Sequence, residues 1–124
     1  MSTPREDRRW PRSVFGVGEE PDPRFSLANE RTFLAWIRTG LAFVAGGVGL
    51  SALSQLGAGE PLPALIASVL LIVSGLGCAA GAWLGWSGAE RALRLRAPLP
   101  RTPLLPLLGG ALVLFAIAAL VLAL

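Results

Sequence analysis

The chain contains no lysine and no histidine; all eleven of its basic residues are arginine. It has one cysteine, Cys78, set in an apolar run with no acid beside it. Disulfide, metal and thiol-nucleophile chemistry each lack a second residue, so Cys78 reads as small apolar filler. Charge is scarce as well. Only 15% of the 124 residues are charged, where a soluble domain carries about 25%. Between Thr39 and Ala89 the one formal charge is Glu60, and none follows Arg101. There is no carboxylate pair held at the apolar segments, no nucleotide-binding glycine loop and no serine with a base partner. Neither catalysis nor a cofactor is expected. Met1 to Arg24 is polar and lacks the apolar core of a signal peptide.

What is present is apolar: 53% of residues are hydrophobic, with a mean hydropathy of +0.61. A soluble fold of this length cannot keep such stretches dry on every side, which points to a small integral membrane protein. The pI near 11.0 then points to membrane headgroups, and no nucleic-acid partner is expected. The exclusive use of arginine fits planar, permanently charged groups suited to phosphate. It fits a GC-rich genome equally well.

Along the chain, residues 1–23 read as a disordered cytoplasmic tail, with Pro4, Pro11, Pro21 and Pro23 among mixed charges. Residues 24–124 read as one all-α membrane domain: three transmembrane helices preceded by an amphipathic juxtamembrane helix. Pro23 and Ser26 suit the helix start. The spans are expected at about 33–56, 62–86 and 103–124. Gly57 to Pro61 is a short break, so the first two spans are antiparallel neighbours. The first half of the linker Ser87–Thr102 can continue the second helix, which sets Glu90 and Arg94 at a favourable i, i+4 spacing. Thr102 can cap the third helix and Pro103 fits its first turn.

Arginine count sets the orientation. Seven lie in the N-terminal flank up to Arg38, four occupy the second linker and none lies in the first loop. The positive-inside rule puts the N-terminus and second linker in the cytoplasm and the C-terminus outside. Trp36, Trp83 and Trp86 fall at the same cytoplasmic interface, where amphipathic rings settle.

Arg24, Arg31 and Arg38 are spaced by seven and form one helical column. The same face carries Ala42, Gly46 and Gly49 onward into the apolar segment. The second helix carries Gly77, Gly81 and Gly85. Such small residues let membrane helices approach closely, either within one chain or between copies in a homo-oligomer. The arginine column also has two readings. It can anchor lipid phosphates by snorkelling. Alternatively, Arg24, Arg31 and Arg38 join Arg91 and Arg94 in an anion site or pore mouth. Glu30, beside Arg31, either orients a guanidinium or is a solvated first-turn acid.

The run Leu27-Ala28-Asn29-Glu30-Arg31-Thr32-Phe33-Leu34-Ala35-Trp36-Ile37-Arg38-Thr39 resembles the signature of the bacterial YidH-like membrane proteins, the domain of unknown function 202 family. The resemblance spans about Arg24 to Leu124 and implies a small protein of the bacterial inner membrane. The same signature is similar to the membrane domain of vacuolar transporter chaperone subunits. That likeness implies a three-helix unit assembled as a ring through which polyphosphate passes. It places Arg24, Arg31 and Arg91, with Arg94 and Arg96 as close alternatives to the last, at the cytoplasmic mouth, with Asn29 and Glu30 in support. Arg38 fits the bacterial branch better, and no polymerase domain is present to make polyphosphate.

Overall fold

The computed structural model describes residues 7–100 and 104–123. Thr102 and Pro103, expected at the start of the last helix, lie outside the described residues, as do Arg5, Arg101 and Leu124. The described residues are all-α. A short helix α1 (Arg12–Phe15) precedes two long ones, α2 (Pro23–Gln55) and α3 (Pro61–Leu95), and a shorter apolar α4 (Leu104–Ala123) follows.

Local chemistry fixes the ends of the long helices. Asp22 caps α2, its carboxylate accepting from the Arg24 backbone N–H at 2.9 Å, and Pro23 supplies the preset φ of the first turn. Ser26, expected near the cap, sits inside the helix and turns to another task. No break separates the juxtamembrane stretch from the first apolar segment, so the two form one helix of 33 residues. Leu56 closes α2, and Gly57, at φ +86°, reverses the chain with a backbone that side chains rarely adopt. Pro61 opens α3, which runs to Leu95. The second helix thus reaches beyond Trp86, as the helix-forming stretch Glu90–Leu95 allows.

At ~1.5 Å per residue each long helix measures roughly 50 Å, against a bilayer core of about 30 Å. Both are apolar and long enough to cross a membrane. The surplus of each is its polar end, the start of α2 and the finish of α3, and antiparallel pairing brings these two ends together.

The pairing follows a heptad. On α2 the residues Ser26, Phe33, Gly40, Gly47 and Ser54 recur every seven and are all buried or half-buried. Gly40 meets Gly75, and Gly47 meets the backbone of Ser68. Asn29 meets Trp86, and Ser26 meets Glu90. The numbers of these four pairs sum to 115 or 116, so one register holds along the seam.

The close contacts do not use Gly46, Gly49, Gly77 or Gly85, four of the glycines that the sequence singles out. A Cβ on Gly49, Gly77 or Gly85 would meet nothing within 4 Å, and one on Gly46 only Leu71 at 3.9 Å. Ala42, Gly46, Gly49 and Gly77 are exposed; Gly81 is buried. The tight crossing belongs to Gly40, Gly47 and Gly75, because the arginine column and its small-residue lane lie roughly 180° from Gly40 at ~100° per residue.

The segment read from the sequence as a tail is described from residue 7 onward. Residues 7–22 form a strap against the end of α3, with α1 at its centre and Val14 only 1% exposed. Its own composition is too polar for a core, and the ordering partner is a buried arginine more than seventy residues away. On the other side, Leu108 and Leu112 of α4 line a cavity with Trp36 and Phe43 of α2. Most described side chains of α4 remain exposed.

Candidate functional site

The polar ends of α2 and α3 hold the chemistry of the molecule. Glu90 lies on the seam face of α3 and is 5% exposed. Its Oε1 accepts from Ser26 Oγ at 2.7 Å and its Oε2 from Asn29 Nδ2 at 3.2 Å. Asn29 Nδ2 also donates to the Trp86 carbonyl at 3.0 Å. Glu90 makes no ion pair among the described residues. A buried carboxylate normally needs a counter-charge; here two neutral donors from the neighbouring helix stand in for it.

The expected Glu90–Arg94 partnership does not form. Arg94 turns to the strap, its side chain 5% exposed. Its guanidinium donates to the carbonyls of Val17 at 2.9 Å and Phe15 at 3.2 Å, and pairs with Glu20 at 3.2 Å and Asp7 at 3.7 Å. Arg9 completes the cluster by pairing with the same two acids and lying 4.5 Å over the Phe15 ring. Its hydrogen bonds hold the Asp7 carboxyl far below the usual carboxylate range, with Arg94 adding a smaller pull. Arg9 and then Arg94 lower Glu20 in the same sense. Aromatic rings tie the strap down further. Trp10 stacks on Trp83 at 5.7 Å, Trp83 packs on Trp86 at 5.4 Å, and Phe15 meets Trp86 at 6.0 Å.

The five arginines proposed from the sequence are therefore not gathered within one chain. Arg94 is committed to the strap, and Arg91 donates to the Ser13 carbonyl at 3.0 Å. Arg24, Arg31 and Arg38 stand exposed on the opposite face of α2. Arg24 lies 3.7 Å from Asp22, while Arg31 and Arg38 make no ion pair among the described residues. Glu30 is exposed too. Asn29 holds the central position, bridging two helices. The sequence signal for it was available: Ser26, Asn29 and Phe33 open the three-and-four spacing that continues through Gly40 and Gly47.

Residues 24–92 match the family described as Domain of unknown function (DUF202). The chain belongs to this family. The matched span holds every residue of the Ser26–Asn29–Glu90 cluster and the whole seam. Over 108 residues the chain is 47% identical to inner membrane protein YidH of Escherichia coli K12, covering 87% of this chain and 91% of that protein. The YidH protein of Shigella flexneri matches to the same extent. An uncharacterized protein of Mycobacterium tuberculosis, Rv2272, is 46% identical over 88 residues, 68% of each chain. No solved structure matches. With this kinship, the DUF202 chain is an inner membrane protein with transmembrane helices, and the lipid bilayer is its partner. None of these relatives' names carries an enzymatic activity.

Proposed function

We propose that this DUF202 chain is a homo-oligomeric unit of the inner membrane that attracts phosphate-rich anions to a cytoplasmic ring of guanidinium groups. Three helices cross the bilayer, α4 being the third, with the N-terminus inside and the C-terminus outside. The observation that carries the reading is the outer face of α2. Arg24, Arg31 and Arg38 stand exposed in one column there, and the column leads into exposed Ala42, Gly46 and Gly49. Space around Gly49 is open among the described residues. A second copy packed on this lane would bring equivalent columns together, and rings of arginine draw phosphate-bearing anions. Arg91 and Arg94 support the strap instead of the ring.

The test is binding and flux of polyphosphate or inorganic phosphate by the purified protein in liposomes. The parent should bind or pass the anion, and Arg31→Ala should abolish this while the oligomer persists. A parent protein without binding or flux ends the proposal.

The same exposure supports a second reading, in which Arg31 and Arg38 only anchor lipid phosphates of a non-transporting scaffold or accessory subunit. Under it, Arg31→Lys behaves as the parent, the protein is monomeric in nanodiscs, and a partner protein accompanies it in a gentle pull-down.

A further inference from the structure

Between α2 and α3 lies a cavity of about 330 Å³. By helical projection it occupies the flank of the pair away from the strap. Four aromatic side chains line it, Phe25, Phe33, Trp36 and Trp86, and its polar lining side chains are Asn29 and Thr32. Gly81 and Gly85 leave room on the α3 side, and Leu99 and Pro100 close it from the linker. Among the described residues no charged one lines it.

The charge lies one side chain behind the wall. Asn29 donates its amide hydrogens to the buried Glu90 carboxylate and to the Trp86 carbonyl, leaving its own Oδ1 without a donor among the described residues. Glu90 is a buried acid without a cationic partner there, and that deficit is what a bound cation would offset. Aromatic faces attract cations and do so more strongly when the site is dry. An anion would meet the opposite: no arginine among the described lining residues and a carboxylate behind them. From Phe25 to Trp36 the cavity follows roughly 16 Å of α2 at ~1.5 Å per residue. It runs from the polar end of the pair towards the apolar segment, the shape of an amphiphile with its head at Asn29 and its tail past Trp36 and Gly81.

From this arrangement we infer that the cavity holds the ammonium headgroup of an aminophospholipid. The ammonium lies among Phe25, Phe33 and Trp86, within reach of Asn29 Oδ1, and Glu90 supplies the field that selects it. This site is independent of the outer arginine column.

Native mass spectrometry of the full chain, released from bilayers of equal phosphatidylethanolamine and phosphatidylglycerol, reads the preference directly. The parent should retain phosphatidylethanolamine about tenfold over phosphatidylglycerol, the range open to a desolvated cation on several rings. Glu90→Gln should bring the two close to parity, and Phe25→Leu, at a ring 58% exposed, should reduce the ratio about threefold. Gly77→Ala, at an open position outside the cavity, should leave it unchanged. Short-chain phosphatidylethanolamine should displace the bound lipid, and free ethanolamine should not. Equal retention by the parent overturns the inference. So does a preference that survives both Glu90→Gln and Phe25→Leu, a preference lost in Gly77→Ala, or displacement by ethanolamine alone. Should Glu90→Gln lose its helical circular dichroism, Phe25→Leu decides the matter, since its side chain is largely exposed.

Discussion

A Cβ built on Gly75 would lie 2.5 Å from Val44 Cγ2 and 2.7 Å from the Gly40 carbonyl oxygen. Neither backbone can move away without losing the seam on both sides. Gly75→Ala is therefore expected to destabilise the helix pair by about 1–3 kcal/mol, the usual cost of overpacking. Gly77→Ala, where the space is open, should stay within about 0.5 kcal/mol of the parent. Equilibrium unfolding of the two variants in the same detergent checks the contrast. Equal losses would mean that the crossing is not at Gly40 and Gly75. Asn29 is governed by the same logic in polar form. Asn29→Leu removes one of the two donors that Glu90 has among the described residues and leaves the acid less satisfied in a buried place. A loss of about 1–3 kcal/mol is expected there too, and Asn29→Asp should be worse because it sets two carboxylates together.

Among the elements, the strap depends most on its charges. Arg94 is buried and anchors four groups of residues 7–22. Arg94→Gln should free the strap, seen as faster proteolysis between residues 7 and 22 with the helices intact. The acids predict a pH response of definite sign. Asp7 and Glu20 both have carboxyls lowered by Arg9 and Arg94 in the folded protein. Their contribution is complete above the ordinary carboxylate range, about 3.9–4.3, and fades as pH falls through the lowered values. Trp fluorescence, which reports the Trp10–Trp83 stack, should stay constant from about pH 7 to 5 and change only in strong acid. A change centred near neutrality would show that other groups hold the strap. The contacts of this element are not legible in its own residues, for a specific reason. Residues 7–22 carry prolines, glycines and mixed charges typical of a tail, and what orders them is the far end of α3.

At the scale of the whole molecule, two faces of α2 divide the work. The inner face, phased on Gly40, builds the pair; the outer face, phased on Arg31, remains available to lipid or to another copy. Gly49→Leu fills the outer lane, where a Cβ meets nothing within 4 Å among the described residues. It should reduce cross-linked oligomer while leaving the unfolding profile of the α2–α3 pair unchanged. An oligomer indifferent to Gly49→Leu would remove this lane as the contact between copies.

Charge segregation and apolar run length were enough to specify an all-α chain with long apolar helices, because a bilayer core admits few other solutions for stretches with so little charge. The LANERTFLAWIRT run carried the family likewise, since it is a string of consecutive residues and needs no geometry to be read. Which glycines touch was another matter. Gly40, Gly46, Gly47 and Gly49 stand within ten residues of one another, and their roles separate only once α3 selects a face of α2. The partners of Glu90 and Arg94 were decided the same way. Four residues apart on one helix, they read as a pair, yet antiparallel packing offered Glu90 the donors of Ser26 and Asn29 and left Arg94 to the acids and carbonyls of the strap. Local spacing states which contacts are available; the three-dimensional arrangement supplies the competitors and so chooses among them.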